Sequence, residues 1–186
     1  MSSATSGAGK RAEHSPANDE RIHAVRVPDS TALIHTIRGL LTVSRPHPML
    51  DAAGELGILH AARLTGGGEA VERIDLHRLR LVRAIDRYIA LVTPVATPNA
   101  RRHTETVGAV VDRLANWCAL AYTPGITATG NEIYFAETYV GQLAGGLDDL
   151  IAGLVTGSCT VPTVYTVPIL QDASGIRMAT RCPRRM

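Results

Sequence analysis

Polar side chains gather at the start of the segment that the sequence predicts to be the fourth helix. Spacings of four, three and four residues would line up four positions on one side of that helix: Glu105, Ala109, Asp112 and Asn116. Carboxylates beside small residues could face a ligand. The same pattern also fits an ordinary helix start, with a threonine cap and Glu105 near the positive end of the helix dipole. Both interpretations stay open.

The preceding helix carries two further sets of charges. Three acidic residues at a spacing of three could hold a divalent cation, although acidic residues are also usual at a helix N-terminus: Glu69, Glu72 and Asp75. Three arginines share a face and could receive a phosphate or carboxylate, or could simply be solvated: Arg80, Arg83 and Arg87.

Arg78 interrupts the apolar stripe of this third helix, and Asp86 lies close to the same stripe. An arginine in such a place needs a partner, and we expect it to pair with an acid of a neighbouring helix, for instance Asp112 or Glu137. No catalytic residue and no metal ligand can be assigned. The candidate ligand-binding residues are Arg80, Asp86, His103, Glu105, Asp112 and Arg113.

Several catalytic signatures do not occur. No histidine pair at a spacing of four encloses a carboxylate, and there is no Gly-x-Ser-x-Gly elbow. The glycine run at 66–68 lacks the lysine of a phosphate-binding loop. Only His77 and His103, which flank the charged helices, would be considered as a general acid or base, and both also suit a surface or capping role.

Helical periodicity and stop signals divide the chain into five helices. The first is capped by Asp29 or Ser30 and keeps its period through Leu41 and Ser44. The others span about 48–64, 69–92, 106–122 and 131–155. Gly141 and Gly145 on the fifth helix would let a neighbouring backbone approach closely, and Gly157 would end that helix.

These elements predict an all-α fold, an antiparallel bundle of four to five helices with a disordered N-terminus and an extended C-terminal arm. Residues 1–19 have no apolar period and predict a disordered segment. Residues 20–170 form the helical domain, and its last part, 161–170, is β-prone but contains two prolines, which favours an arm over a central strand. Residues 171–186 form a basic tail that we expect to be mobile.

Composition narrows the function classes. With 186 residues and 45% apolar residues the chain can build one core. Its net charge of +2 gives no argument for nucleic acid as a partner, and no apolar run reaches the ~20 residues of a membrane span. No apolar run follows Lys10 and Arg11, and the three cysteines are widely spaced, so we expect a cytoplasmic protein without disulfides.

The segment 104–114 carries a resemblance to a known family. It reads Thr-Glu-Thr-Val-Gly-Ala-Val-Val-Asp-Arg-Leu, and it resembles the motif Thr-Glu-Thr-Pro-Gly-x-Ile-Ile-Asp-Arg-Leu of an uncharacterised, all-helical bacterial domain of unknown function. Arg80 with Ile85-Asp86, the leucine-rich stretch 143–157 and Tyr165 resemble weaker family features. Val107 stands where the family has proline. The resemblance implies a helical bundle and implies no reaction.

Two function classes follow, and the residues leave open whether the protein is an enzyme. The first is a protein-interaction or oligomerisation module, which the arm and the glycine-spaced fifth helix favour. The alternative is a carboxylate-based hydrolase that depends on a divalent cation such as Mg²⁺, or a binder of a nucleotide, a sugar or a phosphorylated metabolite. We expect no cofactor under the first hypothesis. If Arg80, Asp86, Glu105 and Asp112 converge in one pocket, the alternative gains support.

Overall fold

The computed structural model describes residues 27–41, 46–66, 71–125 and 128–162. Helices make up 71% of this part of the chain, which confirms the all-α fold. The helices are α1 (Ser30–Ile37), α2 (Pro48–Thr65), α3 (Val71–Val92), α4 (Val107–Tyr122) and α5 (Gly130–Val155), and the two short strands are β1 (Arg101–Arg102) and β2 (Cys159–Thr160). The antiparallel order of the helices stays a prediction. Residues 1–19, the arm beyond Pro162 and the tail at 171–186 lie outside the described residues.

Local capping chemistry sets most helix starts. Asp29 accepts a hydrogen bond from the Ala32 amide at 2.8 Å and so begins α1, and Thr106 caps α4 through the Ala109 amide. Thr129 and Glu132 form a reciprocal capping box at the start of α5. These caps use side chains within three residues of the helix start, which is why the sequence predicts the starts closely.

The prediction that the first helix continues through Leu41 is wrong, and Ser44 lies outside the described residues. The helix ends at Ile37, and Gly39 adopts a φ of +69°, in the left-handed region that terminates helices. Leu40 and Leu41 follow this turn and are 62% and 40% exposed. Their apolar spacing continues the helical period, but the backbone has already left the helix.

The core lies around α4, which packs against α2, α3 and α5, while α1 covers α2. Two glycines allow the closest approaches. A Cβ at Gly108 would lie 2.3 Å from the Val82 carbonyl oxygen, and one at Gly57 would lie 2.4 Å from the Ile37 carbonyl oxygen. Helix backbones can meet at these points only because no side chain intervenes.

Strands β1 and β2 pair in parallel, with Arg101 opposite Cys159 and Arg102 opposite Thr160. The Arg101 amide donates to the Ser158 carbonyl at 2.9 Å, and the His103 amide donates to the Thr160 carbonyl at 2.8 Å. Gly157 ends α5 with a φ of +68° and lets the chain turn back. The pairing ties the end of α5 to the segment that enters α4, where the sequence predicts only a loop.

In the described part of the chain, no helix combines the length and the hydropathy that a membrane crossing needs.

Candidate functional site

A charged cluster centred on Asp112 joins three helices. Arg78 of α3 donates from Nε to Oδ1 at 3.0 Å and from Nη2 to Oδ2 at 2.6 Å, so it holds both carboxylate oxygens of Asp112 on α4. Nε2 of His60, on α2, lies 2.9 Å from Oδ1. His60 is buried, and Arg78 and Asp112 are each 19% exposed. The expected pairing of Arg78 with Asp112 is therefore present, and His60 joins it.

The cluster continues toward the surface through Asp75. Arg78 donates to Asp75 at 2.8 Å, and Arg63 of α2 lies 3.4 Å from the same carboxylate. Asp75 is thus engaged by two arginines, and Glu72 is exposed. Glu69 lies outside the described residues.

Two opposed effects act on Asp112. Burial alone would raise the pKa of Asp112, but the hydrogen bonds from His60 and Arg78, together with their charges, outweigh burial and lower the pKa to about 2. Asp112 is therefore an anion at neutral pH, and both of its oxygens are engaged. Such a group ties helices together and has little capacity left for a substrate.

Asp86 occupies a different place, at the junction of α3 with the start of α4. Its Oδ1 accepts from the Gly108 amide at 2.7 Å, while its Oδ2 is buried and accepts no hydrogen bond from a described residue. Burial raises the pKa of Asp86, and the Gly108 amide and the Thr106 hydroxyl offset this only in part. Asp86 is thus a carboxyl with unused hydrogen-bonding capacity.

The remaining predicted residues lie at the surface or near it. Arg113 and Glu105 form an ion pair with each other, and both side chains are more than a third exposed. His103 lies with Nδ1 3.2 Å from the Glu105 amide and 3.0 Å from the Glu105 carbonyl. Arg80 is exposed and has no ion pair with a described residue.

The six candidate residues do not converge in one pocket. Glu105 precedes α4, which begins at Val107, so it does not share a helical line with Asp112. Asp112 points toward α2 and α3, Asp86 lies beside Gly108, and Glu105 bonds Arg113. The sequence also gives no signal for His60, because a histidine on an apolar helix face is usually a packed core residue.

A cavity of about 330 Å³ lies beside Asp86. Its walls come from α3, from residues 93–96, from Leu154 at the end of α5, and from residues 159–162. Arg83 and Arg87, two of the three arginines that share a face in the sequence, also line it. Among the described residues, no group of three or more histidine, cysteine, aspartate or glutamate side chains converges as a metal site would require.

Helix α5 carries a surface of a different kind. Its buried residues recur at steps of four, seven, three and four, which keep one face of the helix: Ala136, Val140, Leu147, Leu150 and Leu154. On its outer side an aromatic patch consists of Tyr134, Phe135 and Tyr139, which are 66%, 57% and 45% exposed. The rings of Tyr134 and Phe135 meet edge to face at 6.0 Å, and Tyr139 stacks on Trp117 of α4 at 4.7 Å.

The middle of the chain matches a known family. Residues 59–123 match the model of a family described as "Protein of unknown function (DUF4254)", which confirms the resemblance to a domain of unknown function. The matched stretch includes His60, Arg78, Asp86 and Asp112. No curated protein and no solved structure matches the chain. The family description names no activity.

Proposed function

We propose that this protein is a self-associating helical module in which the α5 helices of two copies pair across a two-fold axis. The observation that carries the proposal is the aromatic patch. The chain has seven aromatic residues, and three of them lie exposed within two turns of one helix. Exposed aromatic clusters of this kind are typical of association surfaces, where tyrosine and phenylalanine supply much of the binding energy.

Three glycines follow the patch along the outer side of α5. A Cβ added at Gly141, Gly145 or Gly146 would have no atom of a described residue within 4 Å, so no contact in the described part of the chain requires these glycines. Glycine in a helix interior costs about 1 kcal/mol relative to alanine. A second molecule that approaches the helix backbone closely would account for their presence.

The patch and the glycines complement each other in an antiparallel pair. A period of about 3.6 residues puts Tyr134 on the same edge of the outer face as Gly145, and Phe135 on the same edge as Gly146. If two α5 helices cross near residue 140, each Tyr134 lies over Gly145 of the other copy, and each Phe135 over Gly146. The two Tyr139 rings then meet beside the axis. Large residues thus face small ones in both directions, as a two-fold interface requires.

Charge gives the proposed pair a recognisable salt dependence. Helix α5 contains four acidic residues and no lysine or arginine: Glu132, Glu137, Asp148 and Asp149. Asp148 is held by Ser30, with hydrogen bonds of 2.8 Å from the amide and 2.6 Å from the hydroxyl, and Glu132 by the Thr129 cap. The remaining repulsion between two acidic helices is screened by salt, so association should strengthen as NaCl rises.

The surface area of the aromatic patch can be compared with the area that a stable interface buries. An aromatic side chain carries roughly 200 Å² of surface, so the three rings supply about 350 Å² of the roughly 800 Å² per partner that a stable interface buries. The rest would come from the neighbouring turns of α5. The proposal therefore describes a dimer held by the whole outer face of one helix, with the rings at its centre.

The test compares molar mass, measured by size-exclusion chromatography with light scattering, for the wild type and matched variants. The wild type should form a dimer, and Tyr134→Ser with Phe135→Ser should be monomeric. Gly145→Leu should also be monomeric, although it favours the helix of each single copy. Leu91→Ser is the control, because it also removes an exposed apolar side chain, but from α3 instead of α5; Leu91 is 83% exposed. A dimer that survives both α5 changes, or that Leu91→Ser dissociates, would contradict the proposal.

The alternative, a hydrolase using a divalent cation or a binder of a nucleotide, has less support. Of the carboxylates that would serve it, Asp75 and Asp112 are engaged by Arg63, Arg78 and His60. Glu105 pairs with Arg113, Glu72 is exposed, and Glu69 lies outside the described residues. A cytoplasmic location and bacterial origin remain part of the proposal, and they rest on the cysteine spacing and on the family resemblance.

A further inference from the structure

The cavity beside Asp86 has the composition of a small-molecule site. Its volume of about 330 Å³ lies at the lower end of the range for ligand pockets. Most of its wall is apolar, with Ile89, Val95, Leu154 and Val161 among the lining residues. The charged lining residues all belong to α3. The α3 side of the cavity can therefore bind a charged group of a ligand, while the opposite side can pack against its apolar part.

Beside Asp86, that side of the cavity carries two arginines that form no ion pair with a described residue. Arg83 and Arg87 are exposed, lie one helical turn apart and line the cavity. Neither forms an ion pair with a described residue, whereas Arg63, Arg78 and Arg113 each bond a carboxylate. Two unpaired guanidinium groups at the mouth of a cavity can bind an anionic group through several charge-assisted hydrogen bonds.

Asp86 adds a polar group to the wall. Its Oδ1 is engaged by the Gly108 amide, and its Oδ2 has no partner among the described residues. Because Oδ2 is shielded from solvent, a ligand in the cavity does not contact it. The polar contacts that an anionic ligand needs therefore come from the two arginines.

We propose that this cavity binds a small organic anion, with its carboxylate or phosphate on Arg83 and Arg87 and its apolar body against Ile89, Leu154 and Val161. This site is independent of the proposed dimer. Leu154 lies roughly 30 Å along α5 from Tyr134, at about 1.5 Å of rise per residue. All of the lining residues named above come from the described part of one copy.

The experiment is isothermal titration calorimetry on the full chain, with phenylphosphonate and benzoate as probes. Inorganic phosphate and phenol represent the two halves of a probe and should bind more weakly than either whole probe. Arg83→Gln with Arg87→Gln should weaken binding by about tenfold or more, since even one lost charge-assisted hydrogen bond is worth about a factor of ten. Arg80→Gln is the matched control, because Arg80 is exposed on the same helix but does not line the cavity.

A second variant tests the apolar part without changing charge. Ala90→Trp would fill the cavity that Ala90 lines, and it should abolish binding while Arg83 and Arg87 remain. Circular dichroism and thermal melts would establish that each variant is folded. The monomeric variant Tyr134→Ser with Phe135→Ser should bind the probes like the wild type, so failure of the dimer proposal leaves this one standing.

Three results would overturn the proposal. The first is no binding of either probe by the wild type at millimolar concentration. The second is an equal loss of affinity in Arg80→Gln and in the double variant, which would mean unspecific attraction to a basic helix. The third is unchanged binding in Ala90→Trp. Preference between phenylphosphonate and benzoate then decides whether the natural anion is a phosphate or a carboxylate.

Discussion

Arg78 and Asp112 face each other across the α3–α4 interface with both carboxylate oxygens engaged, at 3.0 Å and 2.6 Å. His60 reaches the same carboxylate from α2 at 2.9 Å. Three helices therefore meet on one side chain. A planar guanidinium that binds a carboxylate through two parallel hydrogen bonds fixes orientation as well as distance, so this pair sets how α3 lies on α4.

Removing the charge of Asp112 should destabilise the fold strongly. Asp112→Asn removes one of the two carboxylates that Arg78 binds and leaves the buried His60 without its carboxylate partner, and breaking such a pair costs about 3 to 5 kcal/mol. Urea unfolding monitored by circular dichroism would measure the loss. Glu105→Gln is the control, because its pair with Arg113 is exposed and should be worth no more than about 1 kcal/mol. Equal losses in the two variants would refute the distinction between the two pairs.

Asp112 should also contribute to acid sensitivity. Its pKa is lowered to about 2 in the fold from an ordinary value of 3.8, so its stabilising effect is fully present above about pH 4. The effect is lost as the pH falls toward 2, and it amounts to about 2 kcal/mol by linkage. A ¹³C NMR titration of the Asp112 carboxyl carbon measures this directly, and a midpoint near 4 would contradict the engaged carboxylate.

Asp86 should show the opposite pH dependence. Burial raises its pKa, so the fold loses stability as the pH rises through the folded-state pKa, where Asp86 must ionise. Asp86→Asn keeps an oxygen for the Gly108 amide and has no charge to bury. Thermal melts across pH should show that the melting temperature of the wild type falls relative to that of Asp86→Asn as the pH rises above the ordinary carboxyl range. A difference in melting temperature that stays constant with pH would argue against a raised pKa of Asp86.

Two glycines in neighbouring helices should respond to alanine in opposite ways. Gly108→Ala puts a Cβ 2.3 Å from the Val82 carbonyl oxygen, so α3 and α4 must separate, and a loss of about 1 to 3 kcal/mol is expected for such overpacking. Gly145→Ala meets no described residue within 4 Å and should stabilise one copy by up to about 1 kcal/mol. Chemical denaturation at low protein concentration would compare the unfolding free energies of the two variants. A loss of stability in Gly145→Ala would contradict the open space around Gly145.

The sequence predicts what short-range chemistry determines. Thr106 begins α4 and Gly157 ends α5, because each acts on backbone groups a few residues away. That Arg78 pairs with an acid can also be predicted, since an arginine within an apolar stripe needs an anionic partner. The end of α1 cannot be predicted, because the apolar period continues past Gly39 although the backbone turns there.

The rest depends on contacts between distant segments. His60 joins Asp112 from 52 positions away, and nothing in its own helix distinguishes it from a core histidine. The pairing of Arg101 with Cys159 spans only two residues on each strand, too short for a period. The cavity forms where α3 meets residues 159–162, and no local pattern brings those two together.

The most direct test of the self-association proposal is sedimentation equilibrium of the wild-type chain at low and high NaCl. The account predicts a molar mass approaching twice 19.8 kDa, with a dissociation constant that falls as salt screens the acidic α5 helices. A mass that stays at 19.8 kDa at every concentration and both salt levels would contradict it.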